Sequence, residues 1–183
     1  MSADQQNIGE YYLKTAFKTF QSQKRLAERA MAQLNSKEFH WTPDSESNSI
    51  AIIIKHLSGN MRSRWTDFLT TDGEKPDRNR DNEFVDDIES TEALMARWNE
   101  GWNCLFSTLM GLTSSDVLKN VTIRGKQHYV LEAIERQISH YSVHIGQIVY
   151  IAKLLKSTSW QSLSIPRGQS ERFNAEMRSK HQR

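Results

Sequence analysis

From His128 to Lys156 the sequence places apolar residues on most faces of a single helix: Leu131, Ile134, Ile138, Val143, Ile145, Ile148, Val149, Ile151, Leu154 and Leu155. A helix that is apolar nearly all round has to be enclosed, either at the centre of a domain or between subunits. Its uncharged run, Gln137 to Ala152, also holds Gln137, Ser139, His140, Ser142, His144 and Gln147. That run is too short and too polar to cross a bilayer. Other helices, of the same chain or of a second subunit, are therefore expected to cover it.

The breaks in the sequence show where those helices lie. Glycines and prolines are scarce, eight and three, and all the prolines and half of the glycines fall between periodic segments. Residues 8 to 34 are rich in helix formers, with Leu13, Phe17, Phe20, Leu26, Ala30, Met31 and Leu34 at helical spacing. A second helix is predicted from Ser49 to about Leu69, after a cap-like Ser47-Asn48-Ser49. The segment Thr71 to Asp81 has turn chemistry throughout. A third helix is predicted from Ser90-Thr91 to Met110, with Glu92 favoured in its first turn and Gly111 at its end. Val121-Thr122-Ile123-Arg124-Gly125 reads as a short extended piece, and the fourth helix follows from about His128 to Lys156. The 183 residues are thus expected to form one all-α domain, a four-helix bundle with a short extended segment before the last helix. Its core runs from about residue 8 to 156, with an irregular tail over 157–183.

Charge and cysteine content narrow the function. The formal net charge is +2, and basic and acidic residues are interspersed in most segments, which argues against a nucleic-acid face. Two stretches are unbalanced: residues 70–89 carry eight acids and three bases, and residues 161–183 five bases and two acids. These could meet across the fold or lie separately in solvent. With Cys104 as the only cysteine, no intrachain disulfide can form. The start Met-Ser-Ala-Asp-Gln-Gln-Asn has no secretory pattern, so a cytoplasmic protein without membrane contact is expected.

Two helices carry polar residues that need explaining. On the second, Ile50, Ile53, Ile54, Leu57, Met61, Trp65 and Phe68 form an apolar stripe, while His56, Asn60, Ser63 and Asp67 form a polar line on its flank. Such a line can be buried only if partners satisfy it. On the fourth, His140 and His144 stand one turn apart, a spacing that lets both imidazoles reach one metal ion. Helical pairs of this kind also occur without a metal. Tyr141 excludes the H-E-x-x-H zinc-peptidase pattern. His40, His128 and His181 read as surface residues, and Trp98, Trp102, Leu105 and Leu109 as core or interface. Cys104 reads as a small apolar residue. The pairs Arg62/Arg64 and Arg78/Arg80 could hold an anionic substrate, although solvated arginines near acidic loops are the commoner explanation.

The stretch Ser49-Ile-Ala-Ile-Ile-Ile-Lys-His56-Leu-Ser-Gly-Asn60, together with Glu132 to Gln147 containing His140 and His144, resembles the DinB-like (YfiT-like) superfamily of bacterial metal-dependent enzymes. Gly59-Asn60-Met61, Asp72-Gly73-Glu74-Lys75 and Ile123-Arg124-Gly125 resemble one branch of it, known only as a domain of unknown function. The likeness spans roughly residues 8 to 165. It implies a four-helix bundle, often a homodimer, holding a divalent metal, typically nickel or zinc, on His56, His140 and His144. It also implies a small-molecule substrate, since characterised members include S-transferases that use bacillithiol or related low-molecular-weight thiols. Three imidazoles leave coordination positions open, as in catalytic rather than structural sites. Hydrolysis would need a base near the open position, and Asp67 lies about three turns, roughly 16 Å, from His56. Thiol-dependent group transfer is therefore expected, with the Gly73 loop and its arginines at the pocket rim. The alternatives are a metal-dependent hydrolase and a non-catalytic metal- or ligand-binding protein.

Overall fold

In the computed structural model, residues 3–88 and 90–181 are described. Helix α1 spans Ala3–Met31, α2 Ile50–Trp65, α3 Thr91–Gly111 and α4 Val130–Lys156. The helix starts follow local chemistry. The Ser49 hydroxyl accepts from the Ile52 amide, and Ser90 does the same for Ala93. At the head of α4, Glu132 reaches back to the Tyr129 amide over 2.9 Å. Gly111 is the last residue of α3, and Leu112 caps it with ordinary backbone angles, so no left-handed glycine terminates that helix.

The helical class is as expected, and two details differ from the sequence reading. The extended piece is a β-hairpin, with β1 (Asn120–Ile123) paired antiparallel to β2 (Lys126–Tyr129) and Ile123 opposite Lys126. Arg124 and Gly125, with φ of 53° and 75°, form the two-residue turn that suits such a hairpin. This places the start of α4 at Val130. The tail also contains a helix, α5 (Ser170–His181), which buries no residue. Its ion pair Arg172–Glu176 at i,i+4 supports it locally. Among the described residues, the basic tail and the acidic 70–89 segment form no ion pair with each other.

The helices associate mainly as two pairs, α2 with α3 and α1 with α4. Close approach within the first pair depends on Gly101, where an added Cβ would lie 2.9 Å from the Ser58 Cα. The two pairs meet in an aromatic cluster to which each helix contributes: Phe20, Trp65, Trp102 and Tyr141. All four are essentially fully buried. At its centre the Tyr141 hydroxyl accepts from Trp65 Nε1 and donates to Asn60 Oδ1, both over 3.0 Å. This fixes the rotation of α4 against α2, and with it the direction in which His140 and His144 point. The Trp98, Trp102, Leu105 and Leu109 line is core. No helix is long and apolar enough to cross a membrane among the described residues.

Candidate metal centre

Of the polar flank expected on α2, His56, Asn60 and Ser63 are buried and have partners. Asn60 takes the Tyr141 bond. The Ser63 hydroxyl donates to the Gly73 carbonyl and accepts from the Lys75 amide, both over 3.0 Å. Asp67 lies beyond the helix end, exposed and with φ of 48°. His56, 4% exposed, faces α4.

Ligand nitrogens of His56, His140 and His144 lie within 4.8 Å of one another. His140 Nε2 stands 3.2 Å from Nε2 of both His56 and His144. For His56 and His144, the opposite ring nitrogens explain why Nε2 is a lone-pair donor. His56 Nδ1 faces Glu83 Oε2 over 2.9 Å, and His144 Nδ1 faces Gln147 Oε1 over 2.8 Å. Both of those partners are acceptors, so both Nδ1 atoms carry protons and both Nε2 atoms are bare. His140 holds at most one proton on Nε2, so the two 3.2 Å contacts cannot both be good hydrogen bonds. Two imidazole nitrogens bound tetrahedrally to one late divalent ion stand about 3.4 Å apart. The donor set therefore fits such an ion. Burial pushes the His140 imidazole down to about 3, helped by His144, His56, Arg64 and Arg78. Burial lowers His144 as well. Both rings are neutral near pH 7, the form that ligates metals.

Glu83 is the residue behind the histidine cluster that the sequence reading missed. It sits in the turn Asp81–Phe84, within a segment too polar to look buried, and is 6% exposed. Lys55 brings that segment to α2 through the Val85 carbonyl (3.1 Å) and Asp87 (2.6 Å). Gly59 makes room for it, since an added Cβ would lie 2.8 Å from Glu83 Cδ. Arg78 then grips both Glu83 oxygens over 2.8 Å. Burial raises the Glu83 carboxyl, but His56 and Arg78 outweigh it and hold it below the usual carboxylate range. Arg78 is thus a buried clamp rather than a solvated side chain. His40 also differs from expectation: it is half-buried and bonded to Asp86 over 2.8 Å.

The Gly73 loop and the hairpin turn, far apart in sequence, meet at the same site. Asp72 accepts from the amides of Glu74, Arg124 and Gly125 over 2.7, 2.8 and 2.8 Å. Those amides hold its carboxyl below the usual range. The Gly73 amide donates to the Thr122 carbonyl. Glu74, fixed in this way, faces Arg64, Arg78 and Arg124 at 3.7, 3.1 and 3.1 Å. The result is a cleft of about 410 Å³ over the histidines, whose lining includes Arg64, Arg78, Arg80, Arg124 and Arg136. Asn60, Phe84, Gln137 and Ser139 complete the lining, and no carboxylate belongs to it among the described residues.

The chain belongs to the family described as a protein of unknown function (DUF1572), whose model matches residues 7–169. No curated protein and no solved structure matches it.

Proposed function

We propose that this member of the DUF1572 family is a cytoplasmic, divalent-metal-dependent enzyme of the DinB-like type that transfers a group to or from a low-molecular-weight thiol. On this reading, α1 to α4 form the four-helix bundle of that superfamily, and His56, His140 and His144 are the metal ligands. The observation that carries the proposal is the convergence of the three Nε2 atoms, with the His56 and His144 rings fixed from behind by Glu83 and Gln147. When bound there, nickel or zinc supplies Lewis acidity that favours the thiolate form of a thiol near neutral pH.

The protein's own part is to hold and orient. Glu83 fixes the tautomer and plane of His56, and Arg78 keeps Glu83 ionised. Tyr141, adjacent to His140 in α4, keeps the cluster in register with α2. The cleft wall offers no carboxylate base for water, and both Glu83 oxygens are already engaged. That favours thiol transfer over hydrolysis. In the transfer, sulfur forms the new bond, the leaving group departs with its electron pair, and the thiol proton passes to solvent.

Elemental mass spectrometry on tag-free protein purified without chelators tests the ligand set. About one late divalent ion per chain is expected, with loss in both His56→Ala and His140→Ala, followed by turnover in a thiol screen. Wild-type protein that purifies empty and fails to take up zinc, nickel or manganese would overturn the proposal.

A further inference from the structure

The arginine lining is more than the histidines need. Of its five guanidinium groups, Arg78 is committed to Glu83 and Glu74, and Arg124 shares Glu74. Among the described residues, Arg80 and Arg136 form no ion pair. Arg80 instead lies 5.1 Å over the Phe84 ring. Arg64 is the most unusual of the five. It is 3% exposed, its nearest carboxylate is 3.7 Å away, and its buried Nε and Nη1 have no acceptor. Gly73 makes space for it, since an added Cβ would lie 2.8 Å from Nη1. A buried guanidinium with idle donors is costly and calls for an acceptor from outside the chain. Gln137, 2% exposed and also on the cleft wall, has a buried Oε1 without a partner, and its amide can turn to present a donor or an acceptor.

We infer that the cleft takes a small molecule bearing an oxyanion, a carboxylate or a phosphate, seated on Arg64 and Arg136 beside the three histidines. This rests on the reading of the cleft as a substrate site and specifies the class of substrate. The chain as a whole is nearly neutral, yet five arginines line this one concavity, whose volume suits a small molecule rather than a polymer. Planar guanidinium groups bind both candidate oxyanions through paired N–H donors.

The test is calorimetric titration of chelator-treated full-length protein with inorganic phosphate and, separately, with succinate. At least one should bind the wild type, and the responding probe distinguishes phosphate from carboxylate recognition. Binding should weaken at least fivefold in Arg136→Gln, a surface substitution that leaves the core intact, and in Arg64→Gln if that variant folds. Lys153→Gln, an exposed cation elsewhere on α4, should match the wild type. Failure of both probes to bind, or a change of less than fivefold in Arg136→Gln, overturns the inference. Because the titration uses ion-free protein, it can fail while the metal-content measurement succeeds, and the reverse.

Discussion

The Nδ1–H of His56 donates to Glu83 Oε2 over 2.9 Å, and the same carboxylate is held by Arg78 through both oxygens. One buried carboxylate therefore sets the tautomer of a proposed metal ligand and neutralises a buried guanidinium. Carboxylate partners of this kind raise the basicity of the imidazole they hold.

Glu83→Gln keeps an acceptor for His56 but removes the charge. Zinc affinity, measured by competition with a chromophoric chelator, should fall about tenfold to a hundredfold. Stability should fall by less than the ~3–5 kcal/mol of a fully broken buried pair, because Glu74 still faces Arg78. Wild-type zinc affinity in this variant would mean that Glu83 serves packing alone.

Gly59→Ala should push Glu83 away from His56, since the new methyl would collide with its carboxylate. Urea unfolding should show a loss of about 1–3 kcal/mol, accompanied by weaker zinc binding. Gly146→Ala is the control. It lies on the exposed face of α4 with open space around it, and should gain about 0.5–1 kcal/mol with zinc binding unchanged.

Tyr141→Phe removes only a hydroxyl, yet it leaves Trp65 Nε1 and Asn60 Oδ1 buried without the bonds they make now. A loss of about 1–3 kcal/mol is expected in denaturant titration. A neutral result would mean that water or a neighbouring group replaces the hydroxyl.

Asp116 provides a pH test away from the site. Lys119 and Thr113 hold its carboxyl at about 2, below the ordinary 3.8. Its contribution to stability is therefore complete above about pH 4 and disappears as the pH falls toward 2. Asp116→Asn should be less stable than the wild type at pH 7, and the gap should close across that acid window. A gap that stays constant with pH would show that the charge contributes nothing.

Helix positions and ligand candidates could be read from the sequence because they depend on local order. Ser49 and Ser90 mark helix starts by their own hydroxyls, and His140 and His144 share a face because a helix turns every 3.6 residues. His56 stands out beside an apolar stripe and, through resemblance, as a candidate third ligand. Glu83 was hidden because its burial depends on Lys55, Gly59 and Arg78 acting together, and no periodicity marks a carboxylate in a polar turn. The contact of Asp72 with Arg124 and Gly125 spans some fifty residues and leaves no local pattern. Arg64 reads more simply as a solvated arginine, because its neighbours in space are not visible from the chain order.

The helices associate as two pairs, and the histidine cluster lies between them, with His56 on one and His140 and His144 on the other. A cation gripped by all three would rivet the two halves together. The breathing motion that parts them would then become sensitive to the concentration of free ion, slowing as the site fills. Hydrogen exchange at the amides of α2 and α4 would report occupancy without any substrate.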